Sequence, residues 1–170
     1  MSPEERTEKV KQLWQEAFGD SEEFIDTFLH RFHTPERMYT LWNGDQLLSM
    51  LHLLPFRMNG TEVGYIYGVA TSPTERGKGH ATHLLREAIE QARNKRLGAL
   101  VTIPADESLR RYYAKFGFTG RHPAFFKGTG DFDLGTGESC KDIMAILPLN
   151  NTPPLANNDT ITLEWREMKE

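Results

Sequence analysis

A short glycine-containing segment stands where a strand pattern gives way to a helix pattern. It reads Arg76-Gly77-Lys78-Gly79-His80-Ala81. The first N–H groups of a helix have no partner within the helix and carry partial positive charge, so they attract anions. Glycine has no Cβ and lets a ligand approach the main chain closely, and Arg76 and Lys78 add positive charge. These residues indicate a phosphate-binding turn, although they also fit a plain polar turn between a strand and a helix.

The residues on either side of this turn favour phosphate binding. Residues 63–71 are rich in β-branched and aromatic types, which is typical of a buried central strand. Beyond the turn, apolar residues fall on one helical stripe, and Gly98 is the predicted end of that helix. The stripe consists of Ala81, Leu84, Leu85, Ala88, Ile89 and Ala92.

Two common phosphate-binding patterns are absent. The nucleotide-hydrolase loop requires a Lys-Ser or Lys-Thr pair after its glycines, and no such pair follows Gly79. The dinucleotide pattern requires further glycines where this chain has His80 and Thr82. If the turn binds a phosphate group, we therefore expect a ligand other than those that these two patterns bind.

Two motifs in the expected order resemble the GNAT superfamily of N-acetyltransferases. Arg76-x-x-Gly79-x-Ala81 resembles its acyl-coenzyme A pyrophosphate motif, Arg/Gln-x-x-Gly-x-Gly/Ala. Residues 113–118, Tyr-Ala-Lys-Phe-Gly-Phe, resemble the Tyr-x-Lys-x-Gly-Phe segment that closes the helix after the fifth strand of the family. Residues 67–73 leading into the turn look most like the branch that includes the Eis-type acetyltransferases. The resemblance covers roughly residues 10–126.

Composition bounds the class of protein. A chain of 170 residues with 38% hydrophobic content has the size of one domain with a core. The net charge of −4 gives no support for nucleic-acid binding. Cys140 is the only cysteine, so no intrachain disulfide can form. Neither a signal-peptide pattern nor an apolar run of membrane-spanning length is visible. We expect a cytoplasmic protein without nucleic-acid or membrane partners.

The periodicity predicts helices and strands in alternation. The first helix should end at Gly19, and Asp20 with Glu23 is the predicted cap of the second. The apolar stripes of these helices are Val10, Leu13, Trp14, Ala17 and Phe18, and then Ile25, Phe28, Leu29 and Phe32. Predicted strands cover residues 38–42, 46–58, 63–71, 99–103, 119–126 and 143–147, with turns at Asn43-Gly44 and Asn59-Gly60 and a helix opened by Asp106.

The resemblance implies a single α/β (α+β) domain with a mixed, mostly antiparallel central sheet flanked by helices. We expect this domain to span residues 1–149, followed by a linker and a possible C-terminal edge strand within residues 150–170. The family begins with a strand, whereas residues 1–9 are charged and unlike one. Ile161 to Trp165 could fill that edge position.

The activity that the resemblance implies is direct transfer of an acetyl group from acetyl-CoA to a primary amine. The main chain of the turn would bind pyrophosphate, the pantetheine arm would pair with residues 69–71, and the Val69 N–H would contact the thioester carbonyl. Tyr113 stands at the general-acid position. Asp106 could contact the pantetheine or serve only as a helix cap. The implied cofactor-binding residues are Val69, Ala70, Thr71, Arg76, Gly77, Lys78, Gly79, His80, Ala81 and Asp106.

The resemblance identifies no general base in this chain, because Val63 stands at the position where some members of the family have Glu. His52, expected to be a half-buried strand histidine, and Tyr65 and Tyr67 could act through water, or the amine could lose its proton to bulk solvent. We expect no metal site, since neither His30 with His33 nor His80 with His83 has a third ligand at a recognisable spacing.

A non-catalytic acyl-CoA sensor or interaction module is the alternative function, because such a protein needs the turn but not Tyr113. The acceptor stays open among a small amine, an aminoglycoside-like compound, a peptide terminus and a protein lysine, since a fold carries chemistry better than specificity. A homodimer is a further possibility.

Overall fold

The computed structural model describes residues 1–135, 142–150, 152, 155–156 and 158–167. Cys140 and part of the loop predicted around residues 135–137 lie outside the described residues. The helices are α1 (Pro3–Phe18), α2 (Glu22–Phe32), α3 (His80–Asn94) and α4 (Glu107–Ala114). The strands are β1 (Met38–Asn43), β2 (Gln46–Met58), β3 (Thr61–Thr71), β4 (Ala99–Thr102), β5 (Thr119–Lys127), β6 (Ile143–Pro148) and β7 (Ile161–Trp165).

The strands form a seven-stranded mixed sheet in the order β1-β2-β3-β4-β6-β5-β7, with a further pairing of β2 with β7. β3 runs parallel to β4, and β5 runs parallel to β7, whereas β1–β2, β4–β6, β5–β6 and β2–β7 are antiparallel. The predicted fold class is therefore confirmed. Contacts group the chain into two compact units, one of Met1–Leu54 with Gly68–Ile89 and one of Pro55–Tyr67 with Glu90–Glu170.

The first unit contains α1, α2 and the β1–β2 hairpin. α1 begins at a capping box in which Ser2 and Glu5 accept each other's backbone N–H groups, and it ends at Gly19 with φ 69°. The predicted cap of α2 was wrong by one residue, because Ser21 accepts the Phe24 N–H. The Asp20 carboxylate instead accepts the indole N–H of Trp14 at 2.8 Å. A buried indole needs such an acceptor.

The second unit has an aromatic core in which the rings of Tyr65, Phe126 and Trp165 all pack near Phe56. β7 contributes Trp165 opposite Phe56 of β2, and its Leu163 lies opposite Phe126 of β5. β7 is therefore paired on both sides. The prediction that it could fill the edge position of the family's first strand was wrong, because β7 pairs with β5 and β2 and not with β1.

The predicted end of α3 at Gly98 was also wrong. The helix ends at Asn94, and Arg96 takes the left-handed conformation with φ 58°. Gly98 is needed for a different reason, because its N–H donates to the Glu62 carbonyl at 2.8 Å and a Cβ there would collide with Thr61. The glycine permits close packing of two backbone segments.

Candidate functional site

The predicted anion-binding turn lies between a short 3-10 turn, Pro73–Glu75, and α3. Gly77 and Gly79 have φ values of 79° and 82°, and a Cβ built on either would meet nothing within 4 Å. The dihedral angles favour glycine there, and the space beside the main chain is open. The hydrogen bond from the His83 N–H to the Gly79 carbonyl, at 3.0 Å, starts the helical ladder. The N–H groups of His80 and Ala81 thus belong to the first turn of the helix, where backbone donors are directed out of the helix.

The charges of the turn differ from the expectation. Lys78 Nζ lies 3.0 Å from one Glu75 carboxylate oxygen, and His80 Nε2 lies 3.1 Å from the other. The hydrogen bond from Lys78, and then that of His80, lowers the pKa of Glu75 below its ordinary value. Arg76 is exposed, and its Nε donates to the Thr71 carbonyl at 3.4 Å. Lys78 is thus largely neutralised by Glu75.

The end of β3 presents backbone groups in two directions. The Ser72 N–H donates to the Leu48 carbonyl of β2 at 2.8 Å, and Ser49 Oγ of β2 donates to the Ala70 carbonyl at 3.0 Å. Because successive residues of a strand point their N–H and C=O groups to opposite sides, the groups of Val69 and Thr71 point away from β2. Gly68, with φ 66°, gives the strand a bulge-like bend immediately before Val69.

Tyr113 belongs to the second unit, on α4. Asp106 caps that helix by accepting the Leu109 N–H at 2.8 Å, as predicted. The Tyr113 ring is buried and packs edge-on against Phe118. Burial raises the pKa of Tyr113 to about 12, and a hydrogen bond with the Thr102 side chain opposes this rise.

Thr102 connects Tyr113 to the sheet. Its Oγ1 donates to the Ile66 carbonyl at 3.2 Å, and Thr102 lies opposite Ile66 in the last pair of the β3–β4 register. The phenol of Tyr113 is therefore fixed beside the point where this pairing ends. Tyr112, its neighbour in the chain, is only half-buried and packs on Phe116.

His52 is completely buried rather than half-buried. Its Nε2 lies 3.2 Å from Nδ1 of His33, and Trp14 and Phe28 pack around the ring. Among the residues that the structure describes, none is a hydrogen-bond partner of the His52 Nδ1. Burial, with a smaller contribution from His33, lowers the pKa of His52 to about 3. The imidazole is therefore neutral at physiological pH and is a weak base.

The sequence prediction missed the pairing of His33 with His52. It considered histidines at helical spacing, whereas these two are brought together by α2 and β2. A signal was present, because residues 47–54 form a nearly unbroken apolar run, and all of them are buried in β2. A strand covered on both faces places every residue inside, including a histidine.

The two tyrosines considered as bases differ in their surroundings. The buried Tyr65 hydroxyl donates to the Leu134 carbonyl at 2.7 Å, and burial raises the pKa of Tyr65 well above its usual range. Tyr67 is half-buried with its ring 5.5 Å from that of Tyr65. Within the part of the chain that the structure describes, no three His, Cys, Asp or Glu side chains come together as metal ligands. No described helix is long and apolar enough to cross a membrane.

Comparison with known proteins shows the family of this chain. Residues 2–120 match the sequence profile of the acetyltransferase (GNAT) domain. The chain belongs to the GNAT acetyltransferase family. The resemblance based on Arg76-x-x-Gly79-x-Ala81 is thereby confirmed at the level of the family. A search of curated proteins finds no match for this GNAT chain.

Solved structures share the GNAT fold. A GNAT family N-acetyltransferase (YhbS) from Escherichia coli in complex with CoA has a TM-score of 0.67 at 15% identity, covering 99% of this chain and 88% of that one. A GNAT family acetyltransferase from Brucella melitensis in complex with acetyl-CoA has a TM-score of 0.61 at 17% identity, covering 95% and 90%. One from Elizabethkingia anophelis with acetyl-CoA bound has a TM-score of 0.56 at 25% identity, covering 81% and 89%.

Proposed function

We propose that this GNAT protein is an N-acetyltransferase that moves an acetyl group directly from acetyl-CoA to a primary amine of its acceptor. The observation that carries the proposal is the pair of left-handed glycines, Gly77 and Gly79, with open space beside them at the start of α3. This arrangement fits a pyrophosphate, because main-chain N–H groups and the helix dipole together bind anions. Related structures with CoA or acetyl-CoA bound support the choice of ligand.

The backbone directions described above support the proposed cosubstrate contacts. In the proposal, the N–H groups from Arg76 to Ala81 hold the pyrophosphate, and the backbone groups of Val69 together with the N–H of Thr71 pair with the amide-containing pantetheine arm. Ala70 completes this strand segment, with its carbonyl occupied by Ser49. Asp106 caps α4, and its carboxylate is also a proposed contact of the pantetheine arm.

The proposed chemistry is attack of a neutral amine on the thioester carbonyl. The Val69 N–H stabilises the oxyanion of the tetrahedral intermediate. When the C–S bond breaks, the phenol of Tyr113 donates a hydrogen bond to the departing thiolate, and the proton that the attacking nitrogen loses as the amide forms reaches the sulfur through water. Because the pKa of Tyr113 is about 12, the phenol remains protonated and available over the whole physiological range. It stabilises the thiolate mainly by hydrogen bonding, since an ordinary thiol has a pKa of about 8.5.

No dedicated base is part of this proposal. His52 is buried and neutral, with a pKa of about 3, and the Tyr65 hydroxyl is engaged by Leu134. An acceptor amine therefore loses its proton to water before it reacts. The rate should rise with pH as the neutral fraction of the amine increases.

The first test is isothermal titration with acetyl-CoA of the wild type and of a Gly77→Val, Gly79→Val variant. Valine disfavours positive φ, and two such residues would distort the turn, so we expect the variant to bind at least about tenfold more weakly. Absence of wild-type binding would refute the proposal. Thiol release from acetyl-CoA, measured with spermidine, kanamycin and a peptide with a free N-terminus, then tests acceptor classes.

The same assays separate the enzyme from a non-catalytic acyl-CoA sensor. A sensor would bind acetyl-CoA but release no thiol with any amine, and a Tyr113→Phe change would leave its behaviour unaltered. An enzyme would lose turnover in that variant while retaining cosubstrate binding. No contact described above favours the sensor.

We also propose that residues 1–149 form the transferase domain and that residues 150–170 add a linker and the strand β7, which pairs with β2 and β5. We further propose that the protein acts in a reducing cytoplasm without nucleic-acid or membrane partners and that it is related to the Eis-like branch. The motif leading into Arg76 supports the last point. Light scattering of the purified protein would decide whether it is a homodimer. A monomer at about 100 μM would exclude a dimer of ordinary affinity.

A further inference from the structure

The Glu75 carboxylate lies against the turn that is proposed to bind an anion. Glu75 ends the 3-10 turn before α3, and its carboxylate contacts Lys78 Nζ at 3.0 Å and His80 Nε2 at 3.1 Å. Only 19% of its side chain is exposed, so the carboxylate is held against the turn. Helix N-termini attract carboxylates and phosphates for the same electrostatic reason.

We propose that Glu75 is a built-in competitor anion, whose carboxylate holds Lys78 and His80 until the cosubstrate pyrophosphate replaces it. This inference rests on the proposed function of the turn and adds a device that sets its affinity. No bond is made or broken other than the hydrogen bonds and ion pair of Glu75. On binding, Lys78 exchanges a carboxylate partner for a phosphate.

The exchange is physically easy because the ion pair is exposed on the lysine side. The Lys78 side chain is 56% exposed, and such surface pairs contribute little to stability. The lowered pKa of Glu75 supports its role as a competing anion, because the side chain stays ionised and keeps its ion pair with Lys78. The geometry of the two contacts carries the argument.

The competing carboxylate should weaken cosubstrate binding by a measurable factor. One unit charge about 6 Å from a dianion opposes it in water by roughly tenfold in affinity, and physiological salt reduces this to roughly threefold. Removing the charge of Glu75 therefore strengthens binding of CoA, and the gain is larger at low ionic strength.

The test is isothermal titration of the full chain with CoA and with inorganic pyrophosphate at low and at physiological salt. We compare the wild type with Glu75→Gln, which keeps an oxygen that can accept from Lys78, and with Glu75→Ala. Glu90→Gln is the control, because it removes one charge from an exposed position later on α3. We expect both Glu75 variants to bind CoA about three- to tenfold more tightly, and the control to equal the wild type.

Three outcomes would overturn the inference. Unchanged affinity in both Glu75 variants would mean that the carboxylate does not compete, and weaker affinity would mean that it orders the turn for the ligand. An equal gain in Glu90→Gln would show only a net-charge effect. Failure of the wild type and all variants to bind either probe would refute the proposed function itself, whereas wild-type binding without a gain refutes only the role of Glu75.

Discussion

The neutral, buried imidazole of His52 makes the folded protein sensitive to mild acid. Its pKa in the folded state is about 3, against 6.5 for an unperturbed histidine. Below pH 6.5 the unfolded chain takes up a proton at this position and the folded chain does not, so folding stability falls as the pH falls. The stabilising effect is complete above pH 6.5 and is progressively lost down to the folded pKa.

The magnitude follows from these two pKa values. Between pH 7.5 and pH 5.0, protonation of His52 in the unfolded state raises the equilibrium constant of unfolding by about 1.5 powers of ten. This corresponds to about 2 kcal/mol lost from the free energy of unfolding. This figure hardly depends on the folded pKa as long as that value stays below about 4.5. Carboxylates with lowered pKa values, such as Glu75 and Glu107, destabilise mainly at lower pH.

The assay is urea denaturation at pH 7.5 and pH 5.0 of the wild type, of His52→Gln and of His30→Gln. Glutamine retains hydrogen-bonding groups towards His33 but does not titrate, and His30 is an exposed histidine on α2. We expect the wild type and His30→Gln to lose about 2 kcal/mol more than His52→Gln over this interval. Equal losses in all three proteins would show that His52 accepts a proton in the folded state, and would refute the account of its burial.

The remaining predictions concern Tyr113 and Asp20. Tyr113→Phe should slow acetyl transfer by about 100-fold with little change in acetyl-CoA affinity. Tyr112→Phe should leave both the transfer rate and the affinity unchanged. Because the pKa of Tyr113 is about 12, the wild-type rate should show no loss from deprotonation of this phenol up to about pH 10, and a fall centred near pH 9 that is absent in Tyr113→Phe would contradict the assignment. Asp20→Ala should lower the free energy of unfolding by about 1–2 kcal/mol, because it leaves the buried Trp14 indole without its acceptor; Asp45→Ala is the exposed control in the same denaturation assay.

Local patterns were sufficient for the elements that depend on neighbouring residues. Gly19 ends α1 in the left-handed conformation, Asp106 caps α4, and Gly77 and Gly79 adopt positive φ, because each of these features is set within one turn of chain. Hydrophobic periodicity likewise predicted α2, since one face of this helix must be buried, and the turn at Asn43-Gly44 predicted the hairpin of β1 with β2.

Contacts that helix, strand and turn patterns do not specify decided the rest. Asp20 binds the Trp14 indole instead of capping α2, and Gly98 serves the contact with Thr61 instead of ending α3. The expectation for β7 failed for the same reason, because its partners are selected by the fit of Trp165 against Phe56. None of these partners can be chosen from local propensity, since the competing positions have similar intrinsic preferences.

The backbone conformation of the turn was therefore predictable from residues 76–81 alone, because the positive φ values of Gly77 and Gly79 are local properties of the backbone. The electrostatic state of the site was not predictable from the sequence. The ion pair of Glu75 with Lys78, the pKa of Tyr113 and the neutral His52 all depend on distances and burial that exist only after folding. Coulomb and desolvation energies vary steeply with those quantities, so residue types and spacing could indicate a candidate phosphate-binding turn but not its electrostatic state.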